Sequence, residues 1–173
     1  VKSRDSVKIP VNIIYKKNTK LNSKNPLLCY GYGGFGEIVK PSFNNLIIPF
    51  IEKGGIYAEI GVRGGGEFGT NWHKNVSLLK KLNSFNDFID SLKYLHGKKY
   101  SNPKKTVIYG WSNGGLLVST VAISNPNIIK AAVIGAPLTD MVRFHLFGVG
   151  RYWISEYGDP NNIKYLNYIL TAN

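Results

Sequence analysis

The stretch Gly110-Trp111-Ser112-Asn113-Gly114-Gly115 constrains this chain more than any other. Its first five residues have the form G-x-S-x-G. Before it, residues 106–109 (Thr-Val-Ile-Tyr) are β-branched and aromatic, the composition of a short buried strand. After it, residues 116–123 are apolar enough for a helix packed beneath a sheet, and Asn125-Pro126 supplies a stop signal. Strand, sharp turn and helix together form a nucleophile elbow, which lifts one hydroxyl clear of the backbone. Gly110 and Gly114 lack Cβ atoms, so the turn can be tight and neighbouring backbone can approach. Ser112 is therefore the candidate nucleophile. Such a serine needs a base, and the base needs an orienting acid.

The rest of the pattern alternates strand and helix, which predicts an α/β fold with a mostly parallel sheet and flanking helices. Strands are expected over 7–15, 27–30, 56–60, 106–109 and 131–136. A helix over 43–52 is interrupted by Pro49. The clearest helix runs over 84–96, with Phe85, Phe88, Ile89, Leu92 and Leu95 on one face and Asp87, Asp90 and Lys93 on the other. Ser84, three residues before Asp87, reads as a cap, and Gly97 as the stop. Beyond 136 the chain reads as aromatic-rich loop and a short helix towards Asn173.

A length of 173 residues fits one domain with a sizeable core, and an apolar fraction of 43% is that of a globular chain. No apolar run reaches the roughly 18 residues of a membrane span, and the start has no signal-peptide pattern. Cys29 is the only cysteine and lies in an apolar run, so it is expected to be buried, with a cytoplasmic, reducing location the simplest home. The net charge of +12 comes mainly from scattered lysine pairs such as Lys16-Lys17, Lys80-Lys81 and Lys104-Lys105. No zinc spacing, helix-turn-helix or aromatic-basic pattern accompanies it. A solvated basic surface is favoured over nucleic-acid binding. No metal site or cofactor is expected.

Two Gly-rich loops remain. Gly31-Tyr32-Gly33-Gly34-Phe35-Gly36 contains G-x-G-x-x-G, but a dinucleotide site needs a helix opening at the loop, and Pro41 follows instead. A loop after an early strand serves better as half of an oxyanion hole, where glycine backbone and a tyrosine hydroxyl can meet developing charge. Arg63-Gly64-Gly65-Gly66-Glu67 reads as a structural turn with an Arg63–Glu67 contact, because no Gly-Lys-Ser/Thr follows to make a phosphate loop.

Taken in order, five blocks resemble the catalytic domain of the prolyl oligopeptidase family of serine peptidases, an α/β-hydrolase fold. They are residues 30–35 (Tyr-Gly-Tyr-Gly-Gly-Phe), residues 63–69 followed by Trp72-His73, the elbow, Asp140 to His145, and Trp153-x-x-x-Tyr157-Gly158. The resemblance runs along essentially the whole chain. It implies that Ser112 is the nucleophile, that the Asn113 backbone N–H and the Tyr32 hydroxyl form the oxyanion hole, and that Trp153 stacks on a substrate proline ring. Phe35, Leu138 and Tyr157 match positions lining the same pocket. Trp111 departs from the small residue often found before the serine, although related dipeptidyl peptidases carry Trp there. Short proline-containing peptides are the implied substrates, cleaved after proline through an acyl-enzyme.

Without the resemblance, an aromatic core cluster is an equally good account of Trp153 and Tyr157. In the family the triad acid and histidine lie well downstream of the serine. The resemblance therefore implies that both fall beyond residue 173. His73 and His96 precede Ser112, and His145 belongs to a block that is not the triad. Residues 1–173 are accordingly expected to be a partial α/β-hydrolase domain lacking its last strands, with the β-propeller and the C-terminal part of the catalytic domain absent. Such a chain is expected to be inactive alone, or completed by a companion chain, and to leave an exposed apolar sheet edge. Two other readings stay open: an esterase or other acyl hydrolase on the same fold, and a non-catalytic remnant or binding fragment.

Overall fold

The structure, a computed structural model, describes residues 1–172. The elements run β1 (Val11–Ile14), β2 (Leu27–Gly31), α1 (Ile48–Glu52), β3 (Ile56–Ile60), α2 (Thr70–Lys74), α3 (Leu82–Gly97), β4 (Thr106–Trp111), α4 (Asn113–Ser124), β5 (Ala131–Gly135), α5 (Ile154–Tyr157) and α6 (Ile163–Ala172). Asn173, the end of the expected last helix, lies outside the described residues.

The strands form one sheet in the order β1-β3-β2-β4-β5. β1 pairs antiparallel with β3, and every other pairing is parallel. Cys29 in the middle of β2 sits opposite Ala58 on one side and Ile108 on the other. Alternation then places Leu27, Cys29, Ile56, Ala58, Ile60 and Ile108 on one fully buried face. Helices α3 and α4 cover that face. Phe85, Phe88, Leu92 and Leu95 point inward from α3, and Leu116, Leu117, Val118 and Val121 from α4. Phe88 and Leu117 come so close to Gly31 that any side chain there would strike them.

The other face carries Tyr30, Tyr57, Glu59, Tyr109 and Val133. The rings of Tyr30 and Tyr109 lie 5.4 Å apart. An open cleft of about 570 Å³ runs over this face, lined by Tyr30, Tyr32, Tyr57, Glu59 and Tyr109 among others. β5 stands at the sheet edge with Val133 and Ile134 exposed, as an apolar edge was expected to be. Among the described residues no helix is long and apolar enough to cross a membrane.

The expected elements are present, and several local details differ. Only Ile48–Glu52 of the expected 43–52 helix forms, with Pro49 in its first turn where the missing N–H does no harm. α3 begins at Leu82, so Ser84 lies inside the helix and is no cap; its hydroxyl donates to the Arg63 carbonyl at 2.6 Å. The helix also runs through Gly97, and the left-handed residue beyond it is Lys99 (φ 63°). Asp87 is fully buried instead of facing solvent. Arg63 pairs with Asp87 and Asp5, not with Glu67, which instead accepts the Val39 N–H at 3.0 Å. Lys81, read as part of a solvated basic surface, is buried.

Candidate active site

Ser112 sits between β4 and α4 at φ 55° and ψ −117°. That region suits glycine and strains any other residue, so the surroundings must hold it there. They do so through backbone contact. A Cβ on Gly110 would overlap the Gly114 carbonyl, and one on Gly114 would press on the Gly31 carbonyl. The Ser112 N–H donates to the Gly135 carbonyl at 2.9 Å, and the Ser112 carbonyl accepts from Leu116 N–H at 3.1 Å. Gly135 has a second role, because a side chain there would collide with the indole of Trp111. Trp111 is 56% exposed, one residue before the serine.

Two of the expected donors come together at this turn. The Tyr32 hydroxyl lies within the electrostatic reach of the Ser112 side chain. Burial pushes the Tyr32 phenol above its ordinary range, and the nearby Glu37 charge adds to this against the opposing pull of Ser112. The hydroxyl therefore stays a protonated donor at neutral pH. Asn113 is the first residue of α4, where backbone N–H groups have no intrahelical acceptor and the helix dipole favours negative charge.

The Asn113 side chain is itself buried and held at both ends. Its Nδ2 donates to the Tyr32 carbonyl at 2.5 Å, and its Oδ1 accepts from the Tyr157 hydroxyl at 2.7 Å. Tyr157 packs edge-on against Phe35, with ring centres 5.8 Å apart, and against Phe144 at 5.5 Å. Phe35 has a left-handed backbone (φ 56°) and is about one-third exposed. Trp153 and Leu138 are half-buried and pack on the same hydrophobic core. Trp153 closes a short 3-10 turn (Gly150–Trp153) that runs directly into α5, so it and Tyr157 lie on successive turns as their spacing suggests.

Each of the three histidines is engaged elsewhere or isolated. His73 faces Glu156 at 2.5 Å, and His96 contacts the Thr106 hydroxyl at 2.8 Å. His145 Nδ1 is buried without a hydrogen-bond partner among the described residues. Beside Tyr157 lies an ionic group that sequence reasoning missed. Lys81 Nζ donates to Glu156 Oε1 at 2.8 Å and to the Gly33 carbonyl at 2.9 Å. Burial pushes the Glu156 carboxyl up, but the Lys81 ammonium outweighs this, with His73 adding to it, and holds the carboxyl below its ordinary range. The only sequence signal was position: Glu156 lies inside the Trp153–Tyr157 block, and His73 follows Trp72.

A sequence model of the prolyl oligopeptidase family matches residues 41–173. The chain belongs to the prolyl oligopeptidase family. It is 40% identical over 162 residues to the prolyl endopeptidase of Elizabethkingia meningoseptica, covering 94% of this chain and 23% of that protein. It is 42% identical over 159 residues to the uncharacterized peptidase RP174 of Rickettsia prowazekii (strain Madrid E), covering 91% of this chain and 22% of that one. The solved structure of a post-proline cleaving enzyme from Rickettsia typhi superposes with a TM-score of 0.97 at 38% identity, over 99% of this chain and 25% of that chain. The chain thus spans about a quarter of the length of the prolyl oligopeptidase relatives it matches. Its sheet and flanking helices are those of the family's α/β-hydrolase domain.

Proposed function

We propose that this chain forms the nucleophile-bearing part of a serine peptidase that cleaves short peptides after proline. The Ser112 oxygen adds to the carbonyl carbon of the proline residue, and the hydroxyl proton passes to a base. The oxyanion that forms takes hydrogen bonds from the Tyr32 hydroxyl and the Asn113 N–H. Collapse breaks the C–N bond, the amine leaves with the proton, and water then hydrolyses the acyl-serine. Trp153, Tyr157, Phe35 and Leu138 give the proline ring apolar and aromatic walls.

The observation that carries this reading is the strained Ser112 backbone, with the Tyr32 hydroxyl near enough to feel its side chain. His73 and His96 have other partners, and no hydrogen bond ties His145 to Ser112 among the described residues, so this reading takes the base and its acid from elsewhere, in a continuing polypeptide or a companion chain with the β-propeller. The buried Cys29 thiol fits a reducing, cytosolic location for the assembly.

The test uses the purified chain, proline peptides, their alanine counterparts and short acyl esters. Binding that prefers the proline peptide, with at most residual turnover, supports the proposal. Turnover that is fast and abolished by Ser112→Ala overturns the placement of the base outside the chain. A preference for acyl esters overturns the post-proline assignment.

A further inference from the structure

Lys81, Glu156 and His73 are buried ionisable groups that the reaction chemistry above does not use. The side chains of Lys81 and Glu156 are 6% and 1% accessible. Enclosing an amine and a carboxylate in this way is costly unless their partners are complete, and an apolar pair of similar volume often serves stability as well. The partners here are complete. Lys81 Nζ reaches Glu156 Oε1 at 2.8 Å and the Gly33 carbonyl at 2.9 Å, and it lies 5.3 Å from the centre of the Tyr157 ring. These acceptors and the aromatic face suit the three N–H bonds of an ammonium. His73 Nε2 holds the remaining Glu156 oxygen at 2.5 Å.

What this group connects matters more than its cost. Gly33 follows Tyr32, and Glu156 precedes Tyr157. Beside it, Asn113 joins the Tyr32 carbonyl to the Tyr157 hydroxyl. Two consecutive carbonyls of the loop after β2 are therefore held by two side chains. Those side chains in turn hold two consecutive residues of α5. We propose that Lys81 is a positioning residue: paired with Asn113, it straps the loop bearing Tyr32 and Phe35 to the helix bearing Tyr157. The donor for the oxyanion and the walls of the proline pocket then move as one body. This rests on the functional reading above. Glu156 fixes where Lys81 points, and His73 fixes Glu156.

The test compares the chain with Lys81→Met, which keeps the stem and removes the donors. It reads amide hydrogen exchange and calorimetric affinity for a proline peptide and its alanine counterpart. The amides of Gly36 and Glu37, bonded within this loop region to Gly64 and Gly34, are expected to exchange about tenfold faster or more, while Leu92 within α3 is unchanged. The ratio of proline to alanine affinity is expected to fall about tenfold. Unchanged loop exchange and ratio in a folded variant overturn the proposal, as does faster exchange spread evenly over α3 and the sheet. If Lys81→Met fails to fold, Glu156→Gln is measured in the same way, and the same loop-confined change is expected. Failure of both variants to fold assigns the group to stability alone and overturns the proposal. If the unaltered chain does not distinguish the two peptides, the post-proline reading fails, and loop exchange still decides the strap.

Discussion

Arg63 and Asp87 meet in a buried, two-pronged pair, Nε to Oδ2 at 2.8 Å and Nη2 to Oδ1 at 2.6 Å, with the Arg63 backbone N–H adding a third bond at 3.1 Å. The pair joins the Gly-rich turn after β3 to the middle of α3, and Asp5 takes the remaining guanidinium edge. Asp87→Ala leaves the guanidinium enclosed without its main partner and is expected to cost about 3–5 kcal/mol. Chemical denaturation of the chain and the variant measures this. Arg63→Lys is expected to destabilise as well, since an ammonium cannot make both bonds in the plane of the carboxylate.

Ser112 is held in backbone geometry that glycine adopts without strain. Ser112→Gly is therefore expected to raise stability by about 1 kcal/mol while removing the proposed nucleophile. Ser112→Ala keeps the strain and is not expected to show the gain. Equal melting temperatures for the two variants would contradict this account of the elbow.

Trp153 is half-buried and packs against the core without being enclosed by it. Its ring is expected to supply area to a bound proline more than to hold the fold. Trp153→Ala should weaken binding of a proline peptide by about tenfold, with a smaller change for the alanine counterpart. Calorimetric titration of both peptides checks it. An equal loss for both would mean that Trp153 does not contact the proline ring.

Glu156 gives a pH dependence with a definite sign. Its folded carboxyl lies below the ordinary range, chiefly because the Lys81 ammonium overcomes the effect of burial. The ionised group thus contributes stability above the ordinary Glu value of about 4.3, and this is lost as pH falls through the lower folded value. The stability difference between the chain and Glu156→Gln should shrink as pH falls below about 4.3. A difference that grows on acidification would reverse the sign assigned to Glu156.

β5 pairs with β4 on one side and ends the sheet on the other, with Val133 53% exposed. Such an edge invites pairing between chains. The chain is expected to self-associate through this edge as its concentration rises, and Val133→Lys to lower that association, as light scattering would show, with little change in helix content.

What the sequence disclosed follows from the range of the interactions involved. The five strands and the elbow are local patterns, set by β-branched runs and by glycines at fixed offsets, and each was legible. Ser84 misled because a cap and a buried hydroxyl look alike in sequence. Its hydroxyl goes to the Arg63 carbonyl, 21 residues away, which no helical wheel displays. Asp87 reads as solvent-facing until Arg63 is placed beside it. Lys81 and Glu156 are 75 residues apart in the chain, and neither carries a mark of its partner. The aromatic residues proposed to line the pocket were named through family resemblance, since spacing alone suited a plain core equally well.

Trp111 lies against the bare Cα of Gly135, more than half exposed and one peptide unit from Ser112. An indole in water emits at longer wavelength than one shielded from it. A peptide bound across the elbow that covers this ring would move its emission to the blue. Trp72, enclosed beside Phe68, gives a constant background, and Trp153 reports separately from the pocket side. An exposed indole next to the proposed nucleophile thus offers an optical gauge of the elbow, readable without any label and in the absence of turnover.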